Sequence, residues 1–407
     1  MHAATRTALG AALVAALTVL TLPAASASAG PLAPRTEKLS TGPGGAQADK
    51  SSGGPVLSAD GKTIAFSSDA SNLVAGDTPD TEDVFVRRPG SSALVRVSVP
   101  GKQASGPRLS STGRYLTFTA RDADFVYTLH LRDLTTGKTV RLDPKLSDAY
   151  RADGPAPISA DGRYVALDAH PTDATPAGAG DGGRVYLLDR QTGKTVRISE
   201  KPNHWQRSCG VAAISDDGTK VVYQDAYANG PVGGDWSDLY VWDRTTGKRV
   251  QADTTHNGAP ADYESSGALI SGDGTKVTFT SLATNLVPGP PTKGYHAFVR
   301  DLKTGKLTRI DGLTPTNTTL AQGISRDGKK ALINVVGSGY ESALYVRDLT
   351  TGSSTLASPN IEGKPTGTVG SVLSADASTV VFGADDEAKF VPGDTNGEWD
   401  LFVRQLK

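Results

Sequence analysis

The chain has 407 residues, of which 42 are basic and 43 acidic, and its formal net charge is −1. This balance gives no reason to expect a nucleic acid or an anionic membrane surface as a partner. Its single cysteine, Cys209, excludes an internal disulfide framework and a site built from several thiolates, while the 46 glycines and 24 prolines suit a fold with many turns.

The first 29 residues have the pattern of a secretory signal peptide. Arg6 precedes an apolar run from Ala8 to Leu22, and small residues then lead to Ala29, a suitable signal-peptidase site. At about 15 residues the run is short for a membrane span. We therefore expect residues 1–29 to be a signal peptide and residues 30–35 a short leader. The mature protein is expected to be secreted and extracellular.

One sequence pattern recurs seven times along the rest of the chain. An apolar residue, Ser, any residue, Asp and Gly precede an alternating apolar–polar segment, as in ISADGRYVAL from Ile158; the copy at Leu109 has Thr in place of Asp, and the copy at Leu373 has Ala in place of Gly. Asp-Gly between two such segments is a strong hairpin signal, because glycine tolerates positive φ. A second alternating segment follows each copy, such as DLYVWD from Asp238, and in five copies a Thr-Gly turn leads to a last short segment. The copies begin near residues 57, 109, 158, 214, 270, 324 and 373.

Four short strands repeated at about 50 residues are typical of β-propeller blades. The sequence therefore predicts an all-β fold, a seven-bladed β-propeller of four-stranded antiparallel blades, formed by residues 36–407 as a single domain. The seventh copy stops after its third strand, and residues 35–40 resemble an isolated fourth strand. We expect this N-terminal strand to complete the last blade and close the ring, so that no sheet edge is left open.

The repeat resembles that of TolB-like, WD40-like (PD40-type) propellers, which have Ser-Pro-Asp-Gly before the second strand and Asp-hydrophobic-Tyr/Phe-Val at the third. The resemblance covers nearly the whole mature chain. In place of the proline this chain has Ala, Ser, Asp, Gly or Arg, which the turn tolerates. The resemblance implies protein–protein interaction outside the cytoplasm. The sequence shows no sign of the extra N-terminal domain of the periplasmic Tol component, so that component's role is not implied.

The loops that join fourth to first strands share one face of a propeller with the loops that join second to third strands. The long loops of this chain fall on that face, and loops on a rigid scaffold commonly carry function. Aromatic and charged residues there suit the binding of a peptide or a glycan. Ordinary loop packing is the interpretation that we favour for these residues, with binding as the alternative. The candidates are His204, Trp205, Arg207, Trp236, His256, Asp262, Tyr263 and Glu264.

Two acidic loops, in the first and seventh repeats, offer oxygen atoms at spacings that suit Ca²⁺. The candidate ligands are Asp77, Asp80 and Asp83 in the first, and Asp394, Asn396, Glu398 and Asp400 in the second. The bidentate Glu and central Gly of a true calcium loop are missing. We therefore favour Asx-turns and strand starts as the role of these residues, and no cofactor, with calcium as the alternative.

The sequence contains no nucleophile elbow, no short-spaced histidine pair and no convergent acid–base motif. We predict a non-catalytic binding or protein-interaction scaffold, monomeric, with a protein or glycan partner at the cell surface and no membrane insertion after signal removal. The alternative is a carbohydrate-active enzyme, a polysaccharide lyase or glycoside hydrolase. It would use channel-facing carboxylates and one or two of the scattered histidines: His130, His170, His204, His256 and His296.

Overall fold

Each sequence repeat forms one four-stranded antiparallel sheet in the computed structural model. The structure describes residues 35–77, 81–91, 93–142, 144, 150–152, 154–171, 183–199, 206–227, 236–289, 293–314, 318–337 and 342–406. The predicted signal peptide lies outside these residues, and the division of the chain at residues 29, 35 and 36 stays a prediction. No helix in the described part of the chain has the length and apolar character needed to cross a bilayer.

The strands follow the repeats in chain order. Blade one contains β2 (Ser52–Leu57), β3 (Ile64–Ser68), β4 (Asp83–Arg87) and β5 (Leu94–Val97). Blade two contains β6 (Gln103–Leu109), β7 (Tyr115–Arg121), β8 (Tyr127–Asp133) and β9 (Thr139–Leu142). Blade three contains β10 (Tyr150–Ala152), β11 (Tyr164–Pro171), β12 (Arg184–Asp189) and β13 (Lys194–Arg197). Blade four contains β14 (Gln206–Ile214), β15 (Lys220–Tyr227), β16 (Trp236–Asp243) and β17 (Lys248–Gln251). Blade five contains β18 (Ser265–Ile270), β19 (Lys276–Ser281), β20 (His296–Asp301) and β21 (Leu307–Ile310). Blade six contains β22 (Thr318–Ile324), β23 (Lys330–Val336), β24 (Ser342–Asp348) and β25 (Ser354–Leu356).

Blade seven is completed by the N-terminal strand. It contains β26 (Val369–Leu373), β27 (Thr379–Ala384) and β28 (Asp400–Gln405), and β1 (Arg35–Lys38) pairs antiparallel with β28. Leu39 follows β1 directly, and its N–H donates to the Leu401 carbonyl at 2.6 Å. The predicted seven-bladed propeller and its N-terminal closure are therefore confirmed.

The Ser-x-Asp-Gly turn is held by its own side chains. In blade three, Ser159 Oγ donates to Asp161 Oδ1 at 2.6 Å and accepts the Tyr164 N–H at 2.9 Å. Gly162 has φ +72°, and a Cβ at this glycine would lie 2.3 Å from the ring of Tyr115 in blade two. Glycine is therefore required both by the turn and by the neighbouring blade. The Ser–Asp hydrogen bond recurs in blades one, four, five, six and seven.

These turns are linked from blade to blade by hydrogen bonds. In blade three the Ala160 N–H donates to the Asp216 carbonyl at 2.8 Å, and the Asp216 N–H donates to the Gly272 carbonyl at 3.0 Å. The other links run from Ala59 N to Ser111 O, Thr112 Oγ1 to Ala160 O, Asp273 N to Arg326 O, Arg326 N to Ala375 O, and Ala375 N to Ala59 O. Together they form a closed circle around one mouth of the central channel.

The hydrophobic core lies between the blades. Each buried cluster combines residues of two successive sheets. For example, Leu39 and Leu401 of blade seven lie in one cluster with Phe85 of blade one. Within several blades an aromatic ring of the second strand stacks on one of the third, for example Phe279 on Phe298 with centroids 5.6 Å apart. Each sheet is covered on both faces by its neighbours, so the polar residues of the alternating segments are buried as well, as Thr278 and Thr280 of β19 show.

Leu39→Ala is expected to lower the free energy of unfolding by about 2–5 kcal/mol, because it leaves a cavity in the core between blades seven and one. The matched control is Glu37→Ala in β1, whose surface ion pair with Arg35 predicts a loss below about 1 kcal/mol. Denaturant unfolding followed by tryptophan fluorescence measures both. Equally small losses would contradict the closing role of this segment.

Candidate functional site

The second-to-third and fourth-to-first loops lie on the same side of the ring, which we call the loop face. Asp49 in the loop before β2 accepts the Ser71 N–H at 2.8 Å and the Ser71 hydroxyl at 2.6 Å, so it joins the two kinds of loop. The side with the Ser-x-Asp-Gly turns is the turn face. The candidate binding residues that the structure describes lie on the loop face or at its border.

Trp236, Tyr263, Glu264 and Tyr295 come together where blades four and five meet on the loop face. The rings of Trp236 and Tyr263 stack with centroids 6.3 Å apart; Trp236 is buried, whereas Tyr263 is 45% exposed. The Tyr295 hydroxyl donates to Glu264 Oε1 at 3.3 Å. Tyr295 was missed by the sequence analysis, because nothing in its own loop relates it to Glu264. The group offers an aromatic surface beside a carboxylate.

Trp236 was expected in a loop from the sequence, but it is the first residue of β16. The pairing of β15 with β16 continues outward to Tyr227 opposite Trp236, beyond the segment that the repeat marks. Arg207 was also expected in a loop, but it lies in β14, as does Cys209, because this strand is nine residues long. The side chains of these two residues are not among those described. His204 and Trp205 lie outside the described residues, so their role stays a prediction.

Asp262 has a structural role that blade one repeats. It accepts the Thr284 N–H at 2.7 Å and the Thr284 hydroxyl at 2.5 Å, the same contacts that Asp49 makes with Ser71. His256 is exposed on the turn closed by the Gly258 N–H and the Thr255 carbonyl. These positions favour loop packing for Asp262 and leave binding by His256 a prediction.

In the acidic loop of blade seven, Lys38 lies between two of the proposed calcium ligands. Its Nζ is 2.6 Å from Asp394 Oδ1 and 2.5 Å from Asp400 Oδ2, and all three side chains are almost fully buried. Asn396 Nδ2 donates to the Ala48 carbonyl at 2.9 Å, and Glu398 Oε2 accepts from the Ser51 hydroxyl at 2.7 Å. The loop therefore uses these groups to hold the N-terminal segment across the ring closure.

The acidic loop of blade one has the same arrangement with an arginine. Arg96 Nη1 lies 2.8 Å from Asp77 Oδ1, and Arg96 Nε lies 3.3 Å from Asp83 Oδ2. Burial raises the pKa of Asp83 to about 6, against the opposing effect of Arg96. Asp80 lies outside the described residues, which contain no group of three or more His, Cys, Asp or Glu placed to hold a metal ion. These contacts give no support to calcium binding, which stays a prediction.

The central channel is lined by the first strands of six blades and, in blade three, by Pro157 and Ile158, which follow β10; its volume is about 430 Å³. Most of its lining is aliphatic, and its charged residues are Arg108, Asp216 and Arg326. Arg326 Nε and Asp216 Oδ2 form an ion pair at 2.8 Å near the turn face. The lining therefore presents no carboxylate and histidine together. The aliphatic layer comes from the residue before the Ser of each turn: Leu57, Leu109, Ile158, Ile214, Ile270, Ile324 and Leu373.

A second cavity, of about 500 Å³, opens on the loop face beside the ring closure. We call it the mouth pocket; it is lined by Ser51, Ser52, Gly53, Gly54, Ser67, Ser68, Asp69, Glu82, Gly106, Pro107, Arg108, Val369 and Trp399. Burial raises the pKa of Glu82. Trp399 is 43% exposed at this pocket. This pocket has no signal in the sequence, because its lining joins segments of blades seven, one and two.

Solved structures share this fold. Oligogalacturonate lyase from Vibrio parahaemolyticus is 12% identical, with 92% of this chain and 97% of that chain covered and a TM-score of 0.60. An oligogalacturonate lyase in complex with manganese is 14% identical over 92% and 96% of the two chains, with a TM-score of 0.61. The β-propeller domain of the Trilobed protease from Pyrococcus furiosus, which has an open velcro topology, is 16% identical over 88% and 96%, with a TM-score of 0.59.

At these identities the likeness shows the fold alone. The seven-bladed ring is consistent with the TolB-like resemblance of the repeat. No protein-family model matches the chain, and no curated protein matches it. What the propeller binds must therefore be argued from its own residues.

Asp253 lies in the core between blades four and five, next to the aromatic group. Its Oδ1 accepts the Leu239 N–H at 3.2 Å, and burial raises its pKa to about 6, with a further contribution from Asp238. In three other blades a serine hydroxyl accepts the equivalent N–H. These serines are Ser40, Ser199 and Ser358. A neutral acceptor is therefore sufficient at this position.

Asp253→Ser is expected to stabilise the protein above pH 6 by roughly 1–3 kcal/mol. The folded-state pKa of Asp253, about 6, exceeds the ordinary value of 3.8, so the folded state binds more protons and stability falls as pH rises through this window. The gain should disappear below about pH 4, where the carboxyl is protonated in both states. Urea unfolding at several pH values measures it. A gain independent of pH would contradict this cause.

The control is Asp348→Ser on the turn face. Hydrogen bonds from Thr351 and Thr350 lower the pKa of Asp348, so its stabilising effect is present at neutral pH and is lost as pH falls. This variant should therefore show the opposite trend with pH.

Removing divalent cations is expected to leave the melting temperature unchanged, because Lys38 and Arg96 already neutralise the two acidic loops. The measurement is thermal unfolding with EDTA and with added CaCl₂. A fall in melting temperature with EDTA, reversed by calcium, would establish the calcium site instead.

Proposed function

We propose that this chain is an exported β-propeller that binds a protein or glycan partner through its loop face and performs no catalysis of its own. Export is supported by the signal-peptide pattern of residues 1–29. The binding role is supported by where the structure exposes its large apolar side chains.

The exposed large apolar side chains of the described residues are unevenly distributed. Three of them lie on outermost strands: Val95, Val196 and Val250. The others lie on the loop face: Phe125, Val126, Tyr263, Tyr295, Leu313, Ile361, Val369 and Trp399. None of those described lies on the turn face. Single exposed apolar residues are common, but concentration on one face with four aromatic rings is typical of a binding surface.

The charged residues support binding over catalysis. Asp77, Asp83, Asp394 and Asp400 of the two acidic loops are paired with cations of the protein, as with Lys38 between Asp394 and Asp400. The channel has an aliphatic layer, and the described histidines lie apart. His130, for instance, stacks on Phe118 with centroids 5.5 Å apart and contacts Thr128 Oγ1 at 2.9 Å. A general acid and base need to meet at one substrate.

The second candidate is a carbohydrate-active enzyme. It is favoured by the mouth pocket, where Asp69 and Glu82 lie with exposed Trp399, and by the fold shared with oligogalacturonate lyases. Manganese is present in one of those lyases. In the part of this chain that is described, no set of His, Cys, Asp or Glu side chains fits such an ion. We therefore keep this function as the alternative.

Replacing Tyr263, Tyr295 and Trp399 together with serine is expected to abolish capture of the partner, because the substitution removes three exposed rings from the loop face. The matched control replaces Val95, Val196 and Val250 with serine, which removes exposed apolar groups from the outer strands and should leave capture unchanged. Photo-crosslinking of the tagged protein to intact producing cells, followed by quantitative mass spectrometry, compares the two. Equal capture by both variants would refute the binding face.

The non-catalytic part of the proposal has its own measurement. Incubation with polygalacturonate and common glycans, with and without manganese, is expected to yield no unsaturated product and no new reducing ends. Turnover that is lost in Glu82→Gln would establish the alternative function.

A further inference from the structure

Arg108 is an exception in a layer of the channel. The first strands of six blades contain a bulge, and the residues that resume the pairing after it in blades one, two, five and seven are Val56, Arg108, Leu269 and Val372. The corresponding residues of blades three, four and six are Pro157, Ala213 and Gly323. Six blades thus fold with a small or apolar residue at this position. The guanidinium of blade two is therefore not required by the propeller fold.

The surroundings of Arg108 leave most of its donors unused. Its Nη1 donates to the Pro107 carbonyl at 3.0 Å, and no described carboxylate lies within ion-pair distance of it. Burial lowers the pKa of Arg108, while Asp168 in blade three acts in the opposite direction from further away. A guanidinium has five N–H donors, and Arg108 is only half-buried, so its remaining donors are open to a ligand in the pocket. By contrast, Arg326 in the same channel is paired with Asp216.

Arg108 also lines both the mouth pocket and the channel. A ligand that enters from the loop face would first meet the indole of Trp399 and the hydroxyls of Ser51 and Ser52. It would meet Arg108 next, and then the aliphatic layer that begins with Leu57. From the loop face inward, the ligand would therefore meet a polar rim, then a cation and finally an apolar channel.

We propose that Arg108 binds the terminal carboxylate of an extended peptide whose last side chain, an aliphatic one, enters the channel. The inference rests on the proposed binding function and assigns its ligand. A guanidinium holds a carboxylate through two parallel hydrogen bonds, which adds geometric specificity to charge complementarity. The aliphatic channel then accepts the side chain of the last residue, while Asp69 and Glu82 in the pocket can accept backbone N–H groups of the preceding residues.

The same features disfavour an acidic oligosaccharide. Sugar hydroxyls placed in the aliphatic channel would lose their hydrogen bonds to water without gaining partners. A chain of uronate groups would also bring several carboxylates near Asp69 and Glu82. A peptide has one terminal carboxylate, which matches the one cation that this channel layer contains among the described residues.

The test uses an equimolar pool of fluorescein-labelled hexapeptides ending in Val, Leu or Ile, made both as free acids and as C-terminal amides. Fluorescence anisotropy with the full-length secreted protein is expected to show at least about tenfold tighter binding of the acids. Arg108→Gln should abolish this preference, and Arg108→Lys should retain part of it. The control is Arg114→Gln, which removes an exposed guanidinium paired with Asp133 on the turn face of the same blade and should keep the preference. Melting temperatures establish that each variant is folded.

Equal affinity for acids and amides, or a preference that survives in Arg108→Gln, would overturn the proposal. Trigalacturonate binding that depends on Arg108 and displaces the peptides would overturn the peptide assignment in favour of a glycan. If Arg108→Gln still captures the cell-surface partner while no peptide preference is found in the wild type, the carboxylate site is wrong and the binding function stands. Loss of capture only in the serine variants of the loop face leads to the same conclusion.

Discussion

The structure depends on the circle of hydrogen bonds that joins the seven first-to-second-strand turns around the channel. Five of these turns are Ser-x-Asp-Gly, while blade two has Thr112 in place of Asp and blade seven has Ala377 in place of Gly. Each link, such as Ala160 N to Asp216 O at 2.8 Å, fixes the distance between two neighbouring blades at their inner ends. The turn must therefore be rigid, which explains the internal Ser–Asp hydrogen bonds and the glycine at positive φ. A circle is complete only if every blade is in place. The pairing of β1 with β28 and the burial of Lys38 and Leu39 at this junction follow from the same requirement.

Much of this fold could be predicted from the sequence because its signals are local. A turn and two alternating strands fit within about 20 residues, and seven copies made the pattern unambiguous. The ends of strands were less predictable. Trp236 and Arg207 were expected in loops, but backbone pairing in blade four continues past the alternating segment, as Tyr227 opposite Trp236 shows. Pairing of this kind depends on a partner strand and leaves no trace in the residue types of one segment.

The candidate sites were harder to predict because their partners are distant in sequence. Asp394 and Asp400 have the spacing of metal ligands, yet the group that neutralises them is Lys38, which precedes Asp394 by 356 residues. Asp77 and Asp83 are neutralised by Arg96, which follows them in the outer strand. In both loops the carboxylates are thus neutralised by a side chain of the protein, Lys38 or Arg96, in place of a metal ion from solution. Carboxylate spacing alone does not distinguish these outcomes, because the cation is supplied by another strand of the blade.

The repeat also separates structure from function by comparison within one chain. Asp262 looked distinctive until Asp49 was found to make the same contacts in another blade, and Asp253 takes a place that serine fills elsewhere. Arg108 has no such counterpart. Its equivalents could be identified only after the bulges had fixed the register of the first strands, because the bulge adds a residue that the alternating pattern does not show. Six blades fold without a charge at this position, and blade two places a half-buried one beside an open pocket. Folding does not explain that charge, whereas the proposed binding of a complementary charge does.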